Sequence, residues 1–194
     1  MPGIVVLAVL AVVTLIIWVV ALNRPSDVTE AAACNPPADA AADPTQAKLG
    51  EQMNRAAMTE VGPANLADTK IRVLNASGEG GQAAEVAGEL RDLGFAEPTA
   101  ENDPLYTNNR LACQGQIRFG PNGRAAAAAV WLVAPCVELW QDQRPDNTVD
   151  LAIGTDFSEL AQSDDIEAVL SSLRPEATQP ADPELLSKIH SGVC

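Results

Sequence analysis

The sequence predicts an α/β protein: an N-terminal transmembrane helix, then one small two-layer α/β domain with a mixed sheet and two crossover helices. Three observations carry that expectation. Residues 4–22 form an apolar run without a charge; a strand, a glycine turn and an amphipathic helix succeed one another from Lys70; and the same plan returns from Gln116.

The apolar run comes first. At about 1.5 Å of helical rise per residue it reaches roughly 28 Å, close to the ~30 Å hydrocarbon core of a bilayer. A secretory h-region is typically ~7 to 15 residues, and Asn23, Arg24 and Pro25 stand where a cleavage site would, so the run reads as a retained anchor. Ala31-Ala32-Ala33-Cys34 resembles a lipobox, but Asp27 and Glu30 separate it from the apolar run, and acylation of Cys34 is not expected. No Lys or Arg precedes the span and Arg24 follows it, which points the remainder of the chain inward. The cysteines point outward: Cys34, Cys113, Cys136 and Cys194 are even in number, dispersed, and free of any C-x-x-C, as disulfides of an oxidising compartment are. A short basic tail upstream of Met1-Pro2-Gly3 would reconcile the two signals.

The formal net charge is −14, all of it beyond the span, and such a surface repels nucleic acid and anionic headgroups. Residues 23–68 are rich in Ala, Pro and Asp, a linker composition, with a short helix expected near 48–58. A disulfide from Cys34 would pin this linker to the domain. What remains is long enough for one domain of about 130 residues.

The domain is expected at 70–157, followed by a helical extension over 158–194. Ile71 and Val73 alternate with Arg72 as in a half-buried strand, residues 77–81 make a turn, and Ala83, Val86, Ala87, Leu90 and Leu93 recur at helical spacing. Gly94 suits the left-handed residue past the helix end, with Phe95 as its hydrophobic contact. In the second unit, Ile117 and Phe119 flank Arg118, residues 120–123 turn, and residues 125–134 form a helix apolar nearly all round, hence buried, stopped by Pro135. Residues 137–140 and 149–153 read as an antiparallel pair of strands. One or two short helices follow around Phe157 to Leu173, and a last one around Leu185 to Ile189.

Little of this carries chemistry. Gly78-Glu79-Gly80-Gly81-Gln82-Ala83 fits G-x-G-x-x-A between a strand and a helix, with Glu97 or Glu101 at the spacing of a ribose contact. Outside a membrane there is little dinucleotide to bind, so the motif reads as a tight turn, with Gly78, Gly80 and Gly81 as candidate contacts to an anionic wall group. His190 lacks companions at metal-ligand spacing and reads as a surface residue. Ser158, Ser163, Asp156, Asp164, Asp165 and Glu167 read as helix caps and first-turn carboxylates. Asn75-Ala76-Ser77 is a glycosylation sequon of the kind that arises by chance. No nucleophile, base and oxyanion site assemble, so no catalytic residue, cofactor or metal is expected. Arg72 and Arg118 share the sheet face opposite the helices; on neighbouring strands they could grip carboxylates or phosphates, unless the domain's own Asp and Glu claim them. Because parallel strands of one crossover begin at the same end of a sheet, Cys113 and Cys136 are expected to pair, leaving Cys34 with Cys194.

The motifs 71–78 (Ile-Arg-Val-Leu-Asn-Ala-Ser-Gly), Leu93-Gly94-Phe95, Ile117-Arg118-Phe119-Gly120 and 149–157 (Val-Asp-Leu-Ala-Ile-Gly-Thr-Asp-Phe) together resemble the LytR C-terminal domain of LytR/CpsA/Psr proteins. In the larger members this domain follows a phosphotransferase domain that attaches glycopolymers to peptidoglycan. No stretch between Leu22 and Lys70 could hold that domain, so the resemblance implies an envelope protein without ligase activity and supplies no catalytic residue. The expected function is a single-pass, extracytoplasmic, non-catalytic module binding a wall polymer or an envelope protein partner. The alternative is an enzyme acting on envelope glycopolymers or lipid-linked precursors, and a third reading is a purely structural link between membrane and wall.

Overall fold

The structure is a computed structural model and describes residues 13–14, 33–38 and 49–192. The chain divides into two compact units, 1–30 and 31–192. The expected span lies outside the described residues except for Val13 and Thr14, which are helical. Among the described residues, no helix is long and apolar enough to cross a membrane.

The second unit is built on strands β1 (Glu51–Gln52), β2 (Ile71–Asn75), β3 (Thr99–Asn102), β4 (Gly115–Phe119), β5 (Glu138–Gln141) and β6 (Val149–Ile153). Its helices are α1 (Arg55–Thr59), α2 (Gln82–Asp92), α3 (Arg124–Val133), α4 (Asp164–Ser172) and α5 (Pro183–His190). The strands form one mixed sheet in the order β1-β5-β4-β6-β2-β3. Two β-α-β units are visible in it: β2 and β3 pair in parallel across α2, and β4 and β5 pair in parallel across α3.

Alternation of side chains along each strand separates two environments. Ile71, Val73, Ile117, Phe119, Leu139, Val149, Leu151 and Ile153 join the helices in the main core. Helix α3 is enclosed as its composition requires, with every residue from Ala126 to Val133 buried. Gly94, at φ +105°, ends α2 while Phe95 is buried beyond it, and the Phe95 amide donates to the Leu90 carbonyl.

Several expectations are corrected. The strands at 138–141 and 149–153 do not pair with each other, because β4 stands between them, parallel to β5 and antiparallel to β6. The physical reason is burial. All residues of β4 and β6 are buried, as central strands must be, whereas β5 is partly exposed near an edge. The polar edge strand β3, exposed at all four residues, has no apolar alternation by which a sequence could reveal it. The helix expected over 48–58 is instead a strand pair followed by a shorter helix: β1 pairs with the edge of β5, and Asn54 caps α1 by accepting from the Ala56 amide. Order therefore begins well before Lys70, held by Met58 and Leu66, each a large apolar side chain in a polar stretch and each buried in the core.

His190 is half-buried rather than a free surface residue. Its ring stacks on Trp131 with centroids 3.6 Å apart and planes at 9°, while the Arg55 guanidinium sits 5.0 Å from the Trp131 ring centroid. Burial, reinforced by the Arg55 charge, pushes the imidazole pKa down to about 4 from 6.5. The stacked imidazole is therefore neutral in the fold. Above pH 6.5 both folded and unfolded chains leave it neutral; as pH falls from 6.5 through about 4, the unfolded chain takes up the proton first and the docking of α5 weakens. A proton NMR titration of His190 is expected to give a midpoint well below that of the unfolded chain, and His190→Phe should remove the part of the acid destabilisation lying in that window.

Candidate functional site

The sheet face turned away from the helices carries the second environment. Alternation places Arg72, Asp150, Gln116, Arg118, Glu138 and Trp140 there, one or two from each of four strands. These side chains satisfy one another. Arg72 donates to both oxygens of Asp150, Nε at 2.7 Å and Nη2 at 2.9 Å, and Arg144 Nη2 reaches Asp150 at 2.7 Å and Asp142 at 2.6 Å. Trp140 Nε1 and Gln116 Nε2 both donate to Glu138 Oε2, and Arg118 donates to Gln116 Oε1 through Nε and Nη2. Arg118 Nη1 donates to Asp103 Oδ1 at 3.2 Å; Nη2 meets Asp103 Oδ2 at 2.9 Å as an ion contact without hydrogen-bond alignment.

The expected arginine grip is thereby corrected. Strand β6 separates β2 from β4, so Arg72 and Arg118 are not on neighbouring strands. Arg118 has 4% of its side chain exposed and is spent on Asp103, while Arg72, 43% exposed, is held bidentately by Asp150. The domain's own carboxylates claim both guanidinium groups.

A covering layer closes part of this face. Leu74, Ala76, Tyr106, Leu111, Cys113 and Ala152 form a second apolar cluster, against which Cys34 and Leu105 pack. Cys34 is disulfide-bonded to Cys113, with Cα atoms 5.0 Å apart. The expected Cys113–Cys136 and Cys34–Cys194 bridges are therefore replaced. Strands β4 and β5 are parallel neighbours as the topology argument required, but that argument located only an end of the sheet, and Cys113 faces the side where the N-terminal segment crosses. Cys136 is also disulfide-bonded. The pinning of the linker through Cys34 holds.

The segment 33–38 is stitched to the loop that covers the face. Asn35 Nδ2 donates to the Arg110 carbonyl at 3.0 Å, the Ala112 amide donates to Asn35 Oδ1 at 2.6 Å, and the Tyr106 hydroxyl donates to the Asn35 carbonyl at 2.7 Å. Asn109 accepts from the Ala38 amide and donates to the Pro36 carbonyl. Burial pushes the Tyr106 phenol pKa up, only partly opposed by the Arg118 charge, so it remains a neutral donor.

At the carboxyl ends of β2 and β3 this loop and the glycine turn enclose a cleft of ≈ 510 Å³, lined by Asn75, Gly78, Gly80, Asn102, Tyr106 and Arg110 among others. The turn is wired internally. Asn75 Nδ2 donates to the Glu79 carbonyl at 2.6 Å, Asn75 Oδ1 accepts from the Gly78 amide and Ser77 Oγ, and Ser77 Oγ also bonds Gln82 Oε1. Asn75 is thus committed to the turn. Gly78 has φ +78°, and a Cβ there would lie 2.9 Å from Arg110 Nε, so the guanidinium rests directly on the glycine. Gly81, the left-handed N-cap of α2, does not line the cleft, and Glu97 and Glu101 lie outside its lining.

The groups capable of proton transfer here are internally engaged: Asp103 with Arg118 and the Leu105 amide, Tyr106 with Asn35. Arg110, by contrast, makes no ion pair among the described residues. Among those residues, no three His, Cys, Asp or Glu gather as metal ligands would. What the cleft offers is amides, a hydroxyl, backbone and one available cation. Sequence reasoning located the glycine turn but missed Asn35, Asn102, Tyr106 and Arg110; the polar run Thr107-Asn108-Asn109-Arg110 beside a tyrosine was the signal for the loop.

Residues 68–157 match the family model described as LytR cell envelope-related transcriptional attenuator. Over all 194 residues the chain is 63% identical to the cell envelope integrity protein Cei of Mycobacterium tuberculosis, covering 89% of that protein. The chain belongs to the Cei family. A crystal structure of the soluble domain of a conserved hypothetical secreted protein from Mycobacterium marinum is 67% identical and superposes with a TM-score of 0.75, covering 76% of this chain and 99% of that one. In this chain the residues matched by the LytR C-terminal model span β2 to β6, including the cleft.

Proposed function

We propose that this Cei-family protein is a single-pass membrane protein of the cell envelope whose domain lies outside the cytoplasm and acts without catalysis, binding a wall polymer or an envelope protein through the cleft at the ends of β2 and β3. The observation that carries the reading is the cleft itself, which combines an available guanidinium with neutral polar groups while its acidic and phenolic members are engaged elsewhere. Hydrogen-bond donors and acceptors on a rigid frame suit the hydroxyls, amides and anionic substituents of a glycan. The name of the Mycobacterium tuberculosis relative and the description of the Mycobacterium marinum protein as secreted support an envelope location. The uncharged run at 4–22 supports the anchor.

The test is co-sedimentation of the full chain, in detergent micelles, with purified peptidoglycan sacculi carrying their attached polymers. Retention is expected, and Arg110→Gln combined with Asn102→Ala should weaken it about tenfold, equivalent to ~1.4 kcal/mol. Retention unaffected by the double substitution would remove the cleft from the reading.

A further inference from the structure

The residues that wall the cleft are held by a segment from the opposite side of the sequence. The loop from Tyr106 to Arg110 contains no helix or strand, and among the described residues its backbone is fixed from two sides. On one side the Leu111 amide donates to the Ala76 carbonyl and the Thr155 amide to the Leu111 carbonyl. On the other side the contacts come from 33–38: the Asn35 side chain and carbonyl, the Pro36 carbonyl, the Ala38 amide and the Cys34–Cys113 bridge. The Cys34 amide in turn donates to Glu138, which belongs to the buried polar chain running through Gln116 and Arg118 to Asp103 on the cleft floor.

We infer that the 33–38 strap is a working part of the binding site, with Asn35 as the positioning residue that sets the Tyr106–Arg110 wall, so that strap seating and cleft occupancy are thermodynamically linked. This rests on the cleft reading above. Asn35 is not among the residues lining the cleft, yet its amide holds both the Arg110 carbonyl and the Ala112 amide, one residue to either side of Leu111. The backbone of Arg110 is thereby fixed where its guanidinium rests on Gly78. Because 33–38 lies between the apolar run and the domain in the chain, a pull from the N-terminal side enters the domain at the cleft wall, through Cys113, before it reaches β1. Linkage is reciprocal: whatever fills the cleft also holds the strap.

The test combines amide hydrogen exchange and sacculus co-sedimentation on the full chain in micelles, for wild type, Asn35→Ala and Asn35→Asp. Asn35→Ala removes two hydrogen bonds and is expected to speed exchange in 105–113 roughly tenfold while β2, β4 and β6 keep their protection. Asn35→Asp keeps the acceptor for the Ala112 amide and should fall between. Retention on sacculi should weaken in the same order, and bound sacculi should slow exchange in 33–38 of the wild type. Unchanged exchange in 105–113 of Asn35→Ala overturns the proposal whatever the binding result. Faster exchange with wild-type retention, in a chain whose retention Arg110→Gln does weaken, overturns the linkage while leaving the cleft in place. Failure of the wild type itself to bind overturns the cleft reading and the strap's part in it.

Discussion

Arg118→Met is expected to destabilise the domain by about 3–5 kcal/mol, the usual consequence of removing one partner from a buried ion pair. Asp103 is 2% exposed, and Arg118 is the one cation in contact with it among the described residues. Without the guanidinium a carboxylate is left in a low-dielectric setting, and Gln116 Oε1 loses both of its donors. The loss should not be additive. Combining Arg118→Met with Asp103→Asn removes the stranded charge, and the side-chain carbonyl that replaces the carboxylate can still accept from the Leu105 amide, so the double variant should be more stable than Arg118→Met alone. Urea unfolding of the four species of that cycle measures the coupling. A cost for Arg118→Met no greater than that of an exposed ion pair, about 0–1 kcal/mol, would show that water reaches Asp103.

Removing the Cys34–Cys113 bridge as Cys34→Ser with Cys113→Ser is expected to cost about 2–5 kcal/mol. The bridge spans 79 residues, so the chain-entropy model places it toward the upper end of that range. Packing adds to this because Cys113 belongs to the apolar cluster of Leu74, Tyr106 and Leu111. Two measurements check it. Non-reducing peptide mapping should recover one fragment joining the Cys34 and Cys113 peptides, and the urea midpoint of the double variant should fall with a steeper slope, because the uncrosslinked unfolded chain exposes more surface. A bridge between Cys113 and Cys136 would yield a different fragment and would sink this pairing.

The elements that were legible in the sequence are those whose signal is local. Residues 71–75 and 115–119 alternate, α2 ends on Gly94 with Phe95 behind it, and α3 is so uniformly apolar that burial was its only resolution. The illegible ones depend on a partner distant in the chain. The polar strand β3 exists because β2 offers it an edge; α1 and the turn at Leu66 are ordered because Met58 and Leu66 find the core; His190 is half-buried because Trp131 lies beneath it. The glycine turn of the cleft was found from its motif, whereas Asn35 and Arg110, 75 residues apart, carry nothing in their own neighbourhoods that marks them as one site.

An acidic α/β domain of the LytR C-terminal type, with two strand-turn-helix units, a buried alanine-rich helix and a cysteine-anchored linker, is readable from the residues alone. The strand order, the pairing of Cys34 with Cys113, and the fate of Arg72 and Arg118 are fixed by packing between distant segments. Periodicity states which side of an element is apolar, because that depends on neighbours three or four residues away. Which charge neutralises Arg118, and which thiol meets Cys113, depends on how the strands are laid side by side, and that arrangement is settled by the summed burial of the whole sheet rather than by any one stretch of it.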